Sequence, residues 1–109
     1  MIKKNINKSA TTFVVGFIGS GKTAEKHAEV IKTFKNYKLF SVFSKNLNNA
    51  EKFANKFKIE NHYNNLNSFL YQKKYDLIII CLPPDQLLKI LYFLKDLDTN
   101  IFTEKPLGL

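Results

Sequence analysis

Three of the four glycines fall in one short stretch, Gly16-Phe17-Ile18-Gly19-Ser20-Gly21-Lys22-Thr23-Ala24. That spacing admits two kinds of phosphate chemistry. Gly19-x-Gly21-x-x-Ala24 fits a dinucleotide fingerprint: Gly19 for a tight turn, Gly21 for close approach of backbone to a pyrophosphate, Ala24 for close packing of helix on strand. The amides of Ser20, Lys22 and Thr23 would then face the phosphates at a helix start. Gly16 to Thr23 also fits a nucleotide-triphosphatase loop, in which Lys22 would reach the terminal phosphates and Thr23 would hold magnesium. The second chemistry needs an acidic residue at the end of a neighbouring strand. The best strand runs into Leu82-Pro83-Pro84 instead, with Asp85 beyond the prolines. A glycine turn that binds nothing is the third reading.

A second candidate pair lies downstream. Enzymes that prefer the unphosphorylated dinucleotide carry an acidic residue about 20 residues past the glycine turn, to hold the ribose hydroxyls. No Asp or Glu occurs between Val30 and Ala50, and the position reads Phe43-Ser44-Lys45-Asn46. A hydroxyl followed by a cation suits a ribose phosphate, so the expected cofactor is NADP in preference to NAD. The competing reading is that Ser44 and Lys45 only start a loop.

The elements that would position these residues alternate. Thr12 to Ile18 is β-branched and aromatic without alternation, the pattern of a strand buried on both faces. A helix of about three turns follows, with Ala24, Ala28, Ile31 and Phe34 at helical spacing. Tyr37 to Phe43 reads as a strand. The helix after Asn46–Asn49 shows Ala50, Phe53, Ala54 and Phe57 on one face. His62-Tyr63 is a short strand, and Leu66, Phe69 and Leu70 mark a short helix. Asp76 to Cys81 is the clearest strand. Leu87, Leu88, Leu91 and Leu94 mark a last helix, and Asn100 to Thr103 a last strand. Strands alternating with helices predict an α/β fold, a doubly wound parallel sheet of Rossmann type, with ligands outside the carboxyl ends of its strands. Residues 1–10 read as a polar tail and 11–109 as one domain.

Composition narrows the partners. The formal charge is +8, but all 17 basic residues are lysine. Arginine is the residue suited to forked contacts with guanine and phosphate, so nucleic-acid reading is not expected. The lysines are spread along the chain, as on a solvated surface. Lys3, Lys4 and Lys8 before Phe13-Val14-Val15 imitate a signal peptide, but the apolar run breaks at once into glycines and lysine. No stretch is long enough to span a membrane. The single cysteine, Cys81, excludes an internal disulfide and suits a reducing cytoplasm. At the end of a buried strand it reads as a small core residue. Asp85 reads as a helix cap.

In order, Val15-Gly16-Phe17-Ile18-Gly19-Ser20-Gly21 with Ala24 and His27, Ser44-Lys45, Ala50-Glu51-Lys52-Phe53-Ala54, Tyr75-Asp76 into Ile78-Ile79-Ile80, Pro83-Pro84 and Glu104-Lys105-Pro106-Leu107 form a set. It resembles the glucose–fructose oxidoreductase, inositol dehydrogenase and rhizopine-catabolism (Gfo/Idh/MocA) family, from Thr12 to Leu109. The resemblance implies an NAD(P)-dependent oxidoreductase that moves hydride between nicotinamide and a sugar- or polyol-type carbon. It implies that Lys105 is catalytic, near the nicotinamide and the reacting hydroxyl, where a cation stabilises charge developing on oxygen. Glu104 would set that lysine and the cofactor, and Pro106 would shape the backbone. The loop Cys81-Leu82-Pro83-Pro84 would lie beside the cofactor, across the cleft from the glycine turn.

Two departures stand out. The family commonly has a His soon after the prolines, and here Asp85-Gln86 is followed by Leu87. The family's second domain carries the substrate pocket and an Asp/His pair that takes the proton, and this sequence stops at Leu109. Neither His27, expected to pack on the first helix, nor His62, near a short strand, replaces that pair. The chain alone is therefore expected to bind dinucleotide without turnover, and to need a substrate domain or a partner chain. A homo-oligomer of the family type would need that second domain too. A non-catalytic fragment or half of a split enzyme is the remaining alternative.

Overall fold

A computed structural model describes residues 12–71 and 74–103. Five strands, β1 (Phe13–Ile18), β2 (Tyr37–Phe43), β3 (Asn61–Tyr63), β4 (Leu77–Ile80) and β5 (Asn100–Thr103), form one sheet in the order β3-β2-β1-β4-β5. Every pairing is parallel. The linking helices are α1 (Lys22–Ile31), α2 (Leu47–Phe57), α3 (Leu66–Tyr71) and α4 (Pro84–Leu94). From β1 the chain winds outward through β2 to β3, then returns to the other side of β1 for β4 and β5. The reversal falls between β1 and β4, where an open parallel sheet forms its ligand crevice.

Each face of the sheet has its own core. On one, Ala24, Ala28 and Ile31 of α1 and Ala50, Phe53, Ala54 and Phe57 of α2 pack on Val15, Phe17, Leu39 and Ile79. The alanines recur at helical spacing and bring both helices close to the strands. On the other face, Phe69 of α3 and Leu87 and Leu94 of α4 pack on Ile18, Phe43, Ile78 and Ile80. Successive residues of β1 and β4 thus serve opposite cores, which explains their unbroken apolar runs.

The expected elements occur with small differences. Phe34 lies beyond α1 and is half exposed, because the helix ends at Ile31. Leu88, expected on the apolar face of α4, is 70% exposed. The helix is apolar on several sides, so spacing alone could not choose the buried one.

Gly16 is a packing glycine inside β1. A Cβ there would come within 2.7 Å of both the Phe69 and Tyr75 rings. Those rings stack 4.7 Å apart against the strand, and the Tyr75 hydroxyl donates to the Phe69 carbonyl at 2.7 Å. Burial pushes the Tyr75 phenol up to about 12. The fully buried Ser41 hydroxyl lies close without closing a well-formed hydrogen bond, and its opposite pull is the smaller. Because the folded state holds this proton more tightly, the stabilisation is complete below the unfolded value of 10.0 and is lost as pH rises towards about 12. Tyr75→Phe should therefore lower stability near neutral pH by about 1 kcal/mol for the lost hydrogen bond. It should also flatten the alkaline limb of a plot of denaturation midpoint against pH. An alkaline limb as steep as the wild type's would show that this phenol is not what titrates.

Candidate functional site

Backbone hydrogen bonds pin together the loops at the carboxyl ends of the central strands. Cys81 N–H donates to the Ile18 carbonyl at 2.9 Å, Gly19 N–H to Phe43 at 2.8 Å, and Ser44 N–H to Tyr63 at 3.0 Å. The glycine turn is thereby fixed between the ends of β2 and β4.

The two glycines of that turn have different physical reasons to be there. Gly19 has φ +107°, a conformation that side chains rarely adopt, and an added Cβ would fall on the Cys81 carbonyl oxygen. It is required by the fold. Gly21 has φ −83° and ψ −168°, which any residue accepts. A Cβ on it would meet nothing within 4 Å. Nothing among the described residues demands a glycine at Gly21, so the room above it is available to a ligand.

The helix starts carry a matching difference. In α2 the Asn46 side chain accepts from Asn49 N–H at 3.0 Å. Before α3, Asn65 accepts from Ser68 N–H at 3.0 Å. No side chain caps α1 or α4. The first amides of α1, those of Lys22, Thr23 and Ala24, lack intrahelical acceptors by helix geometry and carry the positive end of the helix dipole. An uncapped helix start beside an open glycine is a cradle that fits a pyrophosphate.

A cleft of about 450 Å³ opens above these loops. One wall is Gly19, Ser20 and Gly21. A second is Phe43, Ser44, Lys45, Asn46 and Asn49, and the third comprises Cys81, Leu82 and Pro83 with Gln86, Lys89 and Ile90 of α4. No carboxylate lines it among the described residues. Ser44 Oγ accepts from Asn46 N–H at a long 3.4 Å, so the residue does help to start a loop, while its hydroxyl proton remains free to donate. Cys81 is half-buried against the core, and its carbonyl shapes the glycine turn.

The chain matches the model of the oxidoreductase family with an NAD-binding Rossmann fold, Gfo/Idh/MocA, over residues 13–109. It belongs to that family. Comparison with curated proteins finds no match. Among solved structures it is similar to a protein of Desulfitobacterium hafniense provisionally designated an NADPH-dependent oxidoreductase, with TM-score 0.80, 21% identity and 87% of this chain covered. It is also similar to scyllo-inositol dehydrogenase from Lactobacillus casei, solved with NAD(H) and scyllo-inositol, with TM-score 0.76, 22% identity and 91% covered. Myo-inositol 2-dehydrogenase from Lactobacillus plantarum gives TM-score 0.77, 26% identity and 91% covered. The chain spans 27%, 29% and 30% of those three chains.

Membership of the Gfo/Idh/MocA family agrees with the geometry and leaves no support for the triphosphatase reading. Gly16, Phe17 and Ile18, which such a loop would wrap around phosphate, lie inside β1. The strands beside β1 end at Phe43 and Ile80 and run into Ser44-Lys45 and Cys81-Leu82, without an acid for magnesium. Of the expected site residues, Gly19, Ser20, Gly21, Ser44, Lys45, Cys81, Leu82 and Pro83 line the cleft. Lys22, Thr23 and Pro84 do not; they occupy the first turns of α1 and α4 with exposed side chains. Glu104, Lys105 and Pro106 lie outside the described residues.

Asp85 is a correction. It sits in the first turn of α4, whose cap position is Pro83, and makes no cap hydrogen bond. A carboxylate there still complements the helix dipole. Leu87, where the family commonly has His, is buried in the core. His27 packs edge-on against Phe102 at 5.4 Å, as expected of a packing residue. Asn46, Asn49, Gln86, Lys89 and Ile90 were missed as cleft residues. Asn49 lies one turn into α2 from its cap, and the other three follow Pro83-Pro84 at helical spacing, the signal that could have found them.

Proposed function

We propose that this domain binds NADP in preference to NAD, and that the whole protein uses it to move hydride at a sugar- or polyol-type carbon. The observation that carries the preference is the edge of the cleft formed by Ser44, Lys45, Asn46 and Asn49: polar side chains and a cation, with no carboxylate among the described lining residues. A bare ribose pair is held by an acid, whereas a ribose phosphate repels one. Gly19, Ser20 and Gly21, with the amides of Lys22 and Thr23, would hold the pyrophosphate. Ser44 and Lys45 would take the ribose phosphate, and Cys81, Leu82, Pro83 and Pro84 would flank the rest of the cofactor. The bound nicotinamide supplies the hydride chemistry. Glu104 and Lys105 are assigned from the Glu-Lys-Pro resemblance: Lys105 polarises the reacting hydroxyl and Glu104 orients it. The domain is taken as residues 11–109 after a polar tail. A reducing cytoplasm is its proposed compartment, supported by the single cysteine. No helix of the described residues is long and apolar enough to cross a membrane.

The test is equilibrium binding of NADPH, NADH and magnesium–ATP, read by nucleotide fluorescence and competition. NADPH should bind roughly tenfold tighter than NADH, the worth of one charge-assisted contact. ATP should not displace it. NADH binding as tightly as NADPH would remove the preference and leave the domain's assignment intact.

A further inference from the structure

We infer that Lys89 of α4 is a second specificity residue, which closes on the 2′-phosphate of the adenosine ribose from the wall opposite Lys45. This rests on the NADP reading above and extends it to a residue outside the Ser44-Lys45 pair. Lys45 follows β2 and Lys89 lies in the helix after β4, so the two approach one cleft from either side of the glycine turn on β1.

Lys89 is not a randomly placed surface lysine. Gln86, Lys89 and Ile90 form an i, i+3, i+4 stripe, and all three line the cleft, while Leu87 and Leu94 face the core. An ion pair is the exception among the described lysines, formed by Lys56 with Glu25 at 3.2 Å and by Lys38 with Glu60 at 3.9 Å; what sets Lys45 and Lys89 apart is that both line one cleft. Lys45 and Lys89 have no ion-pair partner among the described residues, and no acid lines the cleft between them. Two cations facing one cavity without a counter-charge repel each other unless an anion joins them. A phosphate monoester carries about −1.5 to −2 at neutral pH, more than one lysine balances. Lysine suits this task because its flexible stem delivers a point charge without a fixed geometry.

The test uses adenosine 2′,5′-bisphosphate and adenosine 5′-monophosphate, which differ only in the 2′-phosphate, titrated calorimetrically into the wild type, K89Q, K89R and K45Q. K89Q should weaken the bisphosphate about five- to tenfold, in the range of an exposed charge-assisted contact, and leave the monophosphate within about twofold. K89R should restore most of the loss. Raising the salt should cost the wild type more bisphosphate affinity than it costs K89Q. Equal weakening of both nucleotides by K89Q would overturn the inference, since Lys89 would then serve the adenine. A wild type that prefers the bisphosphate, with K89Q unchanged, would also overturn it while leaving Ser44 and Lys45 standing. A wild type indifferent to the 2′-phosphate would sink the NADP reading and this inference together.

Discussion

Gly19→Ala is expected to cost a large part of the domain's stability. A non-glycine residue forced into a positive-φ conformation costs of order 1–3 kcal/mol. At φ +107° the residue lies beyond the small left-handed region open to other side chains, so the upper part of that range applies. The added Cβ would also land on the Cys81 carbonyl oxygen. Backbone cannot rotate away as the end of a flexible side chain can, and overpacking of this kind adds typically about 1–3 kcal/mol. The total, about 3–6 kcal/mol, is a large part of the roughly 5–15 kcal/mol that holds a domain folded. Relief would require separating Gly19 from Cys81, at the expense of the Cys81–Ile18 or Gly19–Phe43 hydrogen bond. Urea denaturation followed by circular dichroism reads the effect directly. A midpoint within error of the wild type's would mean that the turn relaxes, and that Gly19 is not held by the fold.

The sheet was legible because a parallel strand covered on both faces needs apolar residues at every position. Phe13 to Ile18 and Leu77 to Ile80 show that directly, and the boundaries of β2 and β5 fell where expected. Helix α2 was legible because Ala50, Phe53, Ala54 and Phe57 leave one choice of face. Helix α4 offered several, and Leu88 went to solvent. Spacing also could not separate two kinds of glycine. Gly16 completes a triphosphatase pattern on paper, yet it serves the Phe69–Tyr75 stack inside a strand. Only the register of β1 reveals that. The glycine turn and the residues just past β2 and β4 were expected side by side because ligands collect at strand ends, and the fold brings them to one cleft. Lys89 and Asn49 were not singled out: helical spacing from Pro83 and from the α2 cap marks their helix faces, but only the crossovers of the fold show that those faces line the cleft. Lys22 and Thr23 were read through their side chains in the triphosphatase pattern and through their amides in the dinucleotide one, and the geometry offers the amides. Glu104 and Lys105 carry no periodic or steric signal and rest on the family motif alone.

Gly21→Ala should do the opposite of Gly19→Ala. Its backbone already lies where any residue is comfortable, and its missing side chain faces open space. Alanine there should leave the urea midpoint nearly unchanged, because restricting the unfolded chain gains about 0.4–1 kcal/mol and replacing glycine at the N-cap of α1 costs a similar amount. Binding should suffer. A methyl group above the first amides of α1 keeps a pyrophosphate from approaching them, and a charge-assisted hydrogen bond to such a group is worth about 1.5–3 kcal/mol. Loss of one such contact weakens NADPH and NADH alike by roughly 10- to 100-fold, since both carry the pyrophosphate. Valine, which fills more of the same space, should weaken them further without unfolding the domain. The equal effect on the two nucleotides separates this site from the ribose end, where K45Q and K89Q should discriminate between them. If Gly21→Ala bound both nucleotides as the wild type does, the open space would not be where the phosphates lie. The glycine turn would then be a structural feature of β1 and α1, and the cofactor would have to enter the cleft by another edge.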